Sequence, residues 1–581
     1  MTSEEIRQRI IDAVSRNGGH LASSLGAVEL AQALADVFEP TKDRIVWDVG
    51  HQAYAWKILT GRADRFSTLR QLDGLSPFPN PSESAADAAV AGHAGVALSV
   101  AEGLAAARDL KGTDEHVVAV VGDAAFANGV CFEAVNNCAA ACRKVILVLN
   151  DNEMSISRPT GSLAKLLGRL ITNVRYNRVK AAAENAGHRL RLTFLRGVYH
   201  RIESRIKGLV LGNRFFEQFG LRYIGPVDGH NLRALKAALT VAKEDKRSVI
   251  VHVVTKKGRG FGPAEQDPTS WHGVGPFDRD SARPLVSTDP ARPKGWSEAF
   301  GDALVDLARS DDRVVALTAG MKCGTGLDRF ARAFPRRVHD VGIAEEHLVA
   351  FEAGLAAGGQ RPVVAVYSTF LQRAVDQMMH DVCIAKLPVV FCVDRAGAVG
   401  ADGVTHQGLY DIALLRALPN LTICQPKDEA DLRALLAEAL TRDGPTVIRY
   451  PRGRVPRAGD VKTGEDERHG TKDAKVAIWA TGDQLAKAEA VAAATGAEVV
   501  FARYLKPFDA ALLARQRAAG LKIVSIENGT VVGGFGEAIG ADLRFGWPDA
   551  FIPHGPVAAL EKRHRFDAES IISAIRQTFN L

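Results

Sequence analysis

The stretch VVAVVGDAAFANG (117–129) and the stretch VILVLNDNEMSIS (145–157) decide the fold of this chain. Each begins with an unbroken run of apolar, mostly β-branched residues and then changes at once to polar or small residues. Apolar runs without polar alternation are typical of strands that are buried on both faces of a parallel sheet. The two stretches therefore predict an α/β fold in which Asp123 and Asn152 follow the carboxyl ends of neighbouring strands.

The same pattern continues to the end of the chain. Apolar runs alternate with Ala- and Leu-rich helical stretches, and the runs lie at 117–121, 145–149, 249–254, 314–317, 363–367, 389–393, 447–450, 476–479 and 523–526. This alternation is typical of parallel sheets that are flanked by helices. We expect the α/β class throughout.

The length of 581 residues predicts more than one domain, since single cores stop growing near ~250–300 residues. Two segments rich in Pro, Gly and charge, 275–294 and 452–473, lack apolar periodicity and are predicted linkers. A segment rich in Arg, Lys and Leu, 160–215, is predicted to be a helical insertion or mobile lid. The expected domains are 1–280, 290–455 and 470–581.

Composition excludes several classes of protein. No stretch approaches the ~18 apolar residues of a membrane span, and the first residues, MTSEEIRQRIIDAV, are acidic and amphipathic, unlike a secretory signal. The net charge of +6 is small and scattered, which argues against a nucleic-acid partner and fits anionic small substrates. Seven cysteines without a CxxC pair are typical of a reduced compartment. We expect a cytoplasmic protein with no nucleic-acid or membrane partner.

Asp123 and Asn152 form the sharpest candidate site. Residues just past the carboxyl ends of neighbouring parallel strands converge on one crevice. A carboxylate oxygen, an amide oxygen and a backbone carbonyl, here that of Met154, form a set of hard ligands for Mg²⁺ that also holds phosphate oxygens. Gly-Asp alone would favour a turn with a helix cap, but the spacing and the NDNEMSIS context favour a metal site.

Several long strings in this chain match one family. They are WDVGHQAY (47–54), LNDNEMSIS (149–157), IGPVDGH (224–230), TKKGRG (255–260), YSTFLQRAVDQ (367–377), DRAGAVGADGVTHQG (394–408) and YPRG (450–453). In these strings the chain resembles the 1-deoxy-D-xylulose-5-phosphate synthase family of transketolase-like thiamine-diphosphate enzymes. The resemblance covers nearly the whole chain.

The resemblance implies both an architecture and a reaction. The family has three transketolase-like domains, each with a mostly parallel sheet flanked by helices; the first binds the diphosphate, the second binds the aminopyrimidine and the third is structural. It implies thiamine diphosphate and Mg²⁺ as cofactors and a homodimer. The expected reaction decarboxylates pyruvate and transfers the two-carbon unit to D-glyceraldehyde 3-phosphate, giving 1-deoxy-D-xylulose 5-phosphate and carbon dioxide for isoprenoid, thiamine and pyridoxal synthesis.

The resemblance also assigns an activating glutamate and a set of histidines. Glu345 in VGIAEEH (341–347) matches the residue that hydrogen-bonds the aminopyrimidine, although a Glu at a helix start usually stabilises the helix dipole. Glu346 stands where the family has glutamine, and we expect it to point away. The active-site candidates, each in a loop of small residues, are His20, His51, His93, His272 and His406, of which His51 and His93 are also expected to bind the cofactor.

The acceptor's phosphate calls for guanidinium groups, whose planar fork pairs with phosphate oxygens. Arg395 and Arg452 match the family's positions, and each follows a predicted strand. The resemblance adds further substrate-binding and cofactor-binding residues: Tyr367, Arg373, Asp402 with His406 for the acceptor's hydroxyl and aldehyde oxygens, and Phe370 packed on the aminopyrimidine. For Arg373 a buried structural ion pair is the alternative.

Two departures from the family fall at the cofactor site. Ala124, a cofactor-binding position, replaces the glycine of Gly-Asp-Gly-Ala, and its methyl group is harmless only if φ is negative. In AGHAGVALS (91–99) the residues Ala94, Gly95 and Val96 replace a Ser/Thr-rich string. We expect backbone amides to substitute for the missing hydroxyl donors.

Two other functions remain open from the sequence. One is a paralogous transketolase-type carboligase with another donor or acceptor, and the other is a non-catalytic paralogue kept as a binding or regulatory subunit. The retained Glu345, Asp123 and Asn152 speak against the second. A nicotinamide dehydrogenase is disfavoured because no GxGxxG string follows the first strands.

Overall fold

The computed structural model of the protein describes residues 1–152, 214–285, 292–456, 468–469 and 473–581. The predicted insertion at 160–215 lies, apart from its last two residues, outside this part of the chain. Contacts divide the chain into two compact units. The first unit is Met1–Leu69 with Phe78–Val286, and the second is Arg70–Pro77 with Ser287–Leu581.

The first unit is built on a parallel five-stranded sheet. Its strands are β1 (Arg44–Trp47), β2 (Val117–Gly122), β3 (Ile146–Asp151), β4 (Arg222–Asp228) and β5 (Val249–Val254). Their spatial order is β1-β2-β3-β5-β4, and every pair is parallel. Gly122 on β2 is level with Asn150 on β3. The residues that follow these two strands therefore meet at one edge of the sheet.

Helices flank this sheet because their apolar faces complete its core. The α-helices of the first unit are Ser3–Asn17, Leu21–Gly26, Val28–Val37, Tyr54–Lys57, Ala97–Lys111, Asp123–Phe126, Gly129–Ala141, Arg214–Gln218, Leu232–Glu244 and Gly262–Gln266. The first begins with a capping box, in which the Thr2 hydroxyl accepts from the Glu5 amide and the Glu5 carboxylate accepts from the Thr2 amide.

The second unit contains two sheets. Its strands are β6 (Val314–Thr318), β7 (Val338–Asp340), β8 (Arg361–Tyr367), β9 (Val390–Asp394), β10 (Thr422–Cys424), β11 (Thr446–Arg449), β12 (Arg468–His469), β13 (Val476–Ala480), β14 (Glu498–Phe501), β15 (Tyr504–Lys506), β16 (Lys522–Thr530) and β17 (Leu543–Trp547). The larger sheet has the order β15-β10-β11-β9-β8-β6-β7 and the smaller sheet β12-β14-β13-β16-β17. All pairs are parallel except β10 with β15 and β12 with β14.

The helices of the second unit connect and cover these strands. The α-helices are Trp296–Ala308, Leu327–Ala333, Glu345–Ala357, Ser368–Leu371, Val375–Gln377, Asp411–Arg416, Glu429–Ala439, Leu485–Thr495, Ala510–Ala518, Phe535–Ala538, Val557–Arg563 and Ala568–Phe579. Several begin with an aspartate whose side chain accepts from a first-turn amide, as Asp428 does from Asp431.

The two sheets of the second unit share one hydrophobic core. Trp479 and Phe535, from the smaller sheet and its helix, are buried in the same cluster as Leu317 and Val364 of the larger sheet. In sequence β15 lies between β14 and β16 of the smaller sheet, but it pairs antiparallel with β10 and forms an edge of the larger sheet. Burial and strand pairing therefore join the two sheets.

The predicted α/β class is confirmed. All nine predicted apolar runs form strands, and each sheet is mostly parallel and flanked by helices. The strands that the sequence did not predict are mainly short edge strands such as β7 and β15, which carry only three residues each. Among the residues that the structure describes, no helix combines the length and apolarity needed to cross a membrane.

The shared core predicts how the second unit unfolds. Trp479→Ala should lower its free energy of unfolding by about 3–5 kcal/mol, yet calorimetry should still show one transition for the unit because both sheets bury side chains in the same cluster. Ile575→Ala is the control, because Ile575 lies in a different cluster, on the smaller sheet's other face, which contains no strand residue of the larger sheet. A separate early transition of the smaller sheet in Trp479→Ala would show that the core is not cooperative.

Candidate active site

The predicted site residues fall into two groups, one in each unit, and the first group surrounds the carboxyl ends of β2 and β3. Asp123 is the first residue of the helix that follows β2 and is buried. Burial raises the pKa of its carboxyl to about 7, the nearby charge of Asp151 adds to the rise, and the Lys257 ammonium opposes it. The folded chain thus holds Asp123 where water solvates its charge poorly.

Asn152 supplies the second predicted ligand. Its Oδ1 atom is buried and has no hydrogen-bond partner among the described residues. A buried amide oxygen without a donor is unusual, and a divalent cation would satisfy both this oxygen and the Asp123 carboxylate. The donor set therefore fits Mg²⁺. Met154, the third predicted ligand, lies outside the described residues.

Asp151 stands between Asn150 and Asn152 and is held by a buried polar chain. Its carboxylate lies 2.9 Å from His252 Nε2, and His252 Nδ1 lies 2.7 Å from the Tyr223 hydroxyl. These three side chains belong to the adjacent strands β3, β5 and β4. Asn150 is fixed as well, since its Nδ2 donates to Gln52 Oε1 at 2.7 Å. The end of β3 is therefore rigidly positioned before the loop that carries Asn152.

Lys257 is a functional candidate that the sequence reasoning missed. It follows β5, is buried, and burial lowers the pKa of its ammonium to about 8 while the Asp123 carboxylate opposes the shift. The string TKKGRG was recognised only as part of a motif. A lysine in a glycine-rich loop after a parallel strand was the signal that could have singled it out.

Three predicted histidines come together in the first unit. The ring centroids of His20 and His51 are 6.0 Å apart, those of His20 and His272 5.6 Å, and those of His51 and His272 5.3 Å. Burial holds the pKa of His272 well below its usual value, with the positive charges of Lys257, His51 and His20 adding to the shift. His272 is therefore a neutral imidazole whose Nδ1 lies 3.2 Å from the Ser23 hydroxyl.

A strained turn places His51. Val49 has φ +57°, which is rare for a β-branched residue, and Gly50 has φ +81°. A Cβ atom at Gly50 would meet Pro79 Cδ at 2.5 Å, so glycine is required there. Asp48 accepts from the amides of Gly95 at 2.9 Å and Ala97 at 3.0 Å. This carboxylate joins the His51 turn to the loop that carries His93.

The two departures from the family have structural answers. Ala124 lies inside the helix Asp123–Phe126, a backbone conformation that any L-residue adopts, so its methyl group causes no strain. Gly95 has φ +85°, and a Cβ there would meet Asn128 Oδ1 at 2.3 Å. The Gly95 amide donates to Asp48. It is therefore already engaged and does not substitute for a lost hydroxyl donor.

In the second unit, Glu345 begins the helix Glu345–Ala357. Its carboxyl is buried, and burial raises its pKa to about 7; Arg373 opposes the shift and the half-buried Glu346 adds to it. Glu345 Oε2 has no hydrogen-bond partner among the described residues, and Arg373 Nη1 lies 3.7 Å from it. A buried carboxyl oxygen that lacks a hydrogen-bond partner fits the ring nitrogen of an aminopyrimidine. Arg373 therefore forms a buried ion pair with Glu345, as the alternative interpretation of this arginine predicted.

Aromatic side chains line the neighbouring helix start. The Phe370 ring stacks on Tyr367 at 5.7 Å and meets the His406 ring edge-on at 5.6 Å. His406 Nδ1 lies 2.9 Å from the Thr405 hydroxyl. Burial raises the pKa of Tyr367 to about 12, although the Arg395 guanidinium opposes it. Tyr367 is therefore a neutral donor next to the guanidinium that lies 3.9 Å over its ring.

A guanidinium cluster surrounds Asp402. The Asp402 carboxylate lies 3.8 Å from Arg452 Nη1 and accepts a 2.5 Å hydrogen bond from Arg70 Nη1. Arg395 completes the cluster, because burial lowers the pKa of Arg452 and the charges of Arg395 and Arg70 lower it further. Three cations around one carboxylate leave an excess of positive charge that fits a phosphate.

Arg70 is the second residue that sequence reasoning missed. It has φ +67° and belongs to the short segment Arg70–Pro77 that folds with the second unit. Its partner Asp402 lies 332 positions away. No local motif surrounds Arg70, so nothing in the sequence alone signalled this contact.

Comparison with known proteins gives one consistent result. Three family models match in order: 1-deoxy-D-xylulose-5-phosphate synthase at 1–255, the transketolase pyrimidine-binding domain at 292–457 and the transketolase C-terminal domain at 467–571. The 1-deoxy-D-xylulose-5-phosphate synthase of Desulforudis audaxviator is 44% identical over 98% of this chain and 93% of its own length. That of Syntrophotalea carbinolica is 45% identical over 98% and 93%. A solved transketolase from Campylobacter jejuni is 18% identical over 99% of this chain and 98% of that one, with a TM-score of 0.46.

The burial of Glu345 predicts a pH-dependent stability. Its pKa rises from 4.5 to about 7 on folding, so its contribution is fully present below pH 4.5 and is lost as the pH rises to about 7, by about 3 kcal/mol. Glu345→Gln should lack this loss in urea unfolding without added ligand, and should gain stability over the wild type between pH 5 and pH 8.

Glu346→Gln is the control at the adjacent, half-buried position, and it should keep the pH-dependent loss. A stability difference between Glu345→Gln and the wild type that stays constant from pH 5 to pH 8 would contradict the assignment of a raised pKa to Glu345.

Proposed function

The chain belongs to the 1-deoxy-D-xylulose-5-phosphate synthase family, and on that premise we propose how its residues carry out the reaction. It is a thiamine-diphosphate-dependent transferase of the transketolase class. It decarboxylates pyruvate and joins the two-carbon unit to D-glyceraldehyde 3-phosphate, giving 1-deoxy-D-xylulose 5-phosphate and carbon dioxide. Within that reaction, the guanidinium cluster around Asp402 is the observation that supports a phosphorylated acceptor.

The proposed division of labour follows three domains, 1–280, 290–455 and 470–581. The support is that most strands of each sheet fall in one range; the exceptions are β15, which lies in the third range but joins the larger sheet, and β12, which lies just before the third range. The first domain would hold the diphosphate through Mg²⁺, the second would hold the aminopyrimidine, and the third would be structural. When bound, thiamine diphosphate supplies a thiazolium carbon that takes up the two-carbon unit of pyruvate.

Asp123 and Asn152 hold Mg²⁺ through their buried oxygens, with the Met154 carbonyl as the third proposed ligand. The cation offsets the cost of the buried Asp123 charge, which is why this carboxyl is ionised when the metal is present. Lys257 adds a positive charge beside Asp123 that suits a diphosphate. Ala124 and His93 are the remaining proposed cofactor contacts of this unit.

Glu345 would hydrogen-bond the ring nitrogen of a bound aminopyrimidine through Oε2, which has no hydrogen-bond partner among the described residues. A carboxyl with a pKa near 7 both donates and accepts a proton close to neutral pH. Arg373 orients this carboxyl from 3.7 Å. The Phe370 ring provides an apolar face that excludes water from the reacting carbon.

The proposed proton-transfer groups are His20, His51 and His272 in the first unit and His406 in the second. The low pKa keeps His272 neutral, so its ring can accept or donate a hydrogen bond without carrying charge, and its ring contacts with His20 and His51 place the three imidazoles in one cluster. Arg395 and Arg452 bind the acceptor's phosphate. Tyr367 donates a hydrogen bond, and Asp402 with His406 orients the acceptor's hydroxyl and aldehyde oxygens.

The alternative functions have less support. A paralogous carboligase with another donor or acceptor is disfavoured by full-length relatives that are all named 1-deoxy-D-xylulose-5-phosphate synthase. A non-catalytic paralogue would have no reason to keep the carboxyls of Asp123 and Glu345 buried at a cost that burial imposes on their charged forms.

A homodimer in the cytoplasm is the proposed state of the enzyme. Exposed apolar side chains such as Met379 and Ile384 in the second unit are of the kind that a dimer interface covers. All seven cysteines are free, and five of them are buried. Free thiols of this number favour a reducing compartment.

The metal site can be tested by binding alone. Asp123→Ala should weaken magnesium-dependent binding of thiamine diphosphate by about 100-fold in calorimetry, since Mg²⁺ loses its charged protein ligand. Asp43→Ala is the matched control, because this buried carboxylate caps amides at the amino end of the same sheet and should affect only stability. Equal affinity in Asp123→Ala and Asp43→Ala would reject the metal site.

The acceptor site tests the function itself. Carbon dioxide release from pyruvate should require thiamine diphosphate and Mg²⁺ and should rise when D-glyceraldehyde 3-phosphate is added. Arg395→Ala or Arg452→Ala should lower kcat/KM for this acceptor by about 10- to 150-fold, because one charge-assisted contact is lost, while KM for pyruvate stays nearly unchanged.

Unphosphorylated D-glyceraldehyde is the control acceptor, and with it the wild type and both variants should behave alike. Lysine at either position should rescue only in part, because an ammonium lacks the guanidinium fork. Equal losses with both acceptors would mean that the arginines are structural or bind pyruvate, and the assignment of a phosphorylated acceptor would fail.

A further inference from the structure

The residues proposed to bind the acceptor lie on one loop, residues 395–408, which we call the acceptor loop. It follows β9 and carries Arg395, Asp402 and His406. The loop doubles back on itself, since the amide of Gly397 donates to Gly408 O at 2.6 Å and that of Gly408 to Gly397 O at 2.8 Å. Arg395 has φ +58°. Such a conformation persists only where the surroundings hold it.

Asn528 of the smaller sheet is the first anchor of this loop. Its Oδ1 accepts from the Ala398 amide at 3.1 Å and from Trp547 Nε1 at 2.9 Å. Its Nδ2 donates to Asp483 Oδ2 at 2.6 Å. All the hydrogen-bonding capacity of Oδ1 is therefore used, half of it on the acceptor loop.

The loop backbone packs directly on this amide. Gly397 has φ +88°, and a Cβ atom there would meet Asn528 Nδ2 at 2.1 Å. Glycine is the residue that permits both the positive φ and the close approach. The contact between the loop and Asn528 is thus one of shape as well as hydrogen bonding.

Gln407 is the second anchor, and it joins the loop to the chain that follows β17. Its Oε1 accepts from the amides of Val399 at 2.8 Å and Gly400 at 3.3 Å, and its Nε2 donates to Pro553 O at 3.1 Å. The buried Gln407 side chain therefore holds the loop closed from inside and attaches it to the smaller sheet's domain.

These anchors set the positions of the guanidinium groups. The Val399 amide donates to Gln407 Oε1, and the Val399 carbonyl accepts from Arg452 Nη1 at 3.1 Å. Asp402, three residues on, contacts both Arg452 and Arg70. A shift of the loop would consequently move the cluster that is proposed to meet the phosphate.

We propose that the C-terminal domain determines the enzyme's affinity for the acceptor's phosphate, with Asn528 as its positioning residue. The inference rests on the proposed function of Arg395 and Arg452 and adds a role for a domain otherwise regarded as structural. Asn528 touches no substrate: it acts through Ala398 and Gly397. Losing its Oδ1 would leave the Ala398 and Trp547 donors buried and unpaired, and the loop would move to satisfy them.

Asn528→Leu is the test, because leucine has nearly the same shape but no hydrogen-bonding groups. In the holoenzyme it should raise KM for D-glyceraldehyde 3-phosphate by about tenfold and weaken competition by glycerol 3-phosphate to the same extent. KM for pyruvate should stay within about twofold of the wild type, and kcat/KM for unphosphorylated D-glyceraldehyde should fall clearly less than that for D-glyceraldehyde 3-phosphate, because the unphosphorylated acceptor makes no contact with the guanidinium groups.

Gln516→Met is the matched control. Gln516 is also a buried amide that accepts from a tryptophan, Trp479 Nε1 at 2.8 Å, and donates to a carboxylate, Glu498. Both partners belong to the smaller sheet, away from the acceptor loop. Gln516→Met should lose as much thermal stability as Asn528→Leu. It should leave the ratio of KM for D-glyceraldehyde 3-phosphate to KM for pyruvate unchanged.

Exchanging the amide of Asn528 and the carboxylate of Asp483 provides a rescue experiment. Asn528→Asp alone puts two carboxylates in contact and should raise KM for the phosphorylated acceptor. Adding Asp483→Asn restores one amide and one carboxylate in reversed positions, and acceptors for Ala398 and Trp547 remain. The double variant should return to within about twofold of the wild-type KM. If Asn528→Leu fails to fold, the comparison of Asn528→Asp with the double variant tests the positioning role of Asn528 instead.

The outcomes separate this proposal from the function on which it rests. A wild type that needs the acceptor's phosphate, together with an Asn528→Leu variant of wild-type KM, or one that loses activity equally with both acceptors, overturns the positioning role alone. A double variant that stays as weak as Asn528→Asp also overturns it. A wild type that is indifferent to the acceptor's phosphate overturns the proposed function and this inference with it.

Discussion

Negative charge that the fold has taken out of water is the constraint on which the rest of this structure depends. Asp123 and Glu345 are buried at the first positions of their helices, and burial raises both pKa values to about 7. The positive end of a helix offsets only part of that cost. Each carboxyl therefore lies where a cation or a hydrogen-bond donor would lower the cost of its charge, and the elements around it fix it in that place.

Holding these groups requires backbone strain that the packing has to resist. Val49 and Arg395 both have positive φ, the first beside His51 and the second within the acceptor loop. Neither residue would choose that conformation in an unfolded chain. In each case a buried side chain holds the adjacent backbone, Asp48 on the loop after Ala94 and Asn528 on Ala398. The strain is local, but the contacts that stabilise it are distant in sequence: Asp48 bonds the loop 47 positions away, and Asn528 lies 130 positions from Ala398.

This distance explains what the sequence could and could not predict. Asp123 and Asn152 were found because an apolar run and the polar residue after it are neighbours in sequence, and parallel strands place such residues at one edge. Arg70 was missed because its partner Asp402 is 332 positions away and no periodic pattern encodes the contact. Short edge strands such as β7 were missed for a related reason: three residues carry too little pattern to identify. Motifs predicted the candidate positions, while the contacts that orient these residues are tertiary.

The acceptor site shows why a carboxylate belongs in a cluster built for an anion. Arg70, Arg395 and Arg452 repel one another, and the lowered pKa of Arg452 records that repulsion together with its burial. Asp402 contacts two of the three guanidiniums and so keeps them close before any ligand arrives. Three cations and one carboxylate leave a net charge of two, which matches a phosphate monoester of about −2 near neutral pH. Pyruvate carries one negative charge and leaves this cluster half compensated. The charge balance therefore supports the proposal that this cluster binds the phosphorylated aldehyde rather than the keto acid.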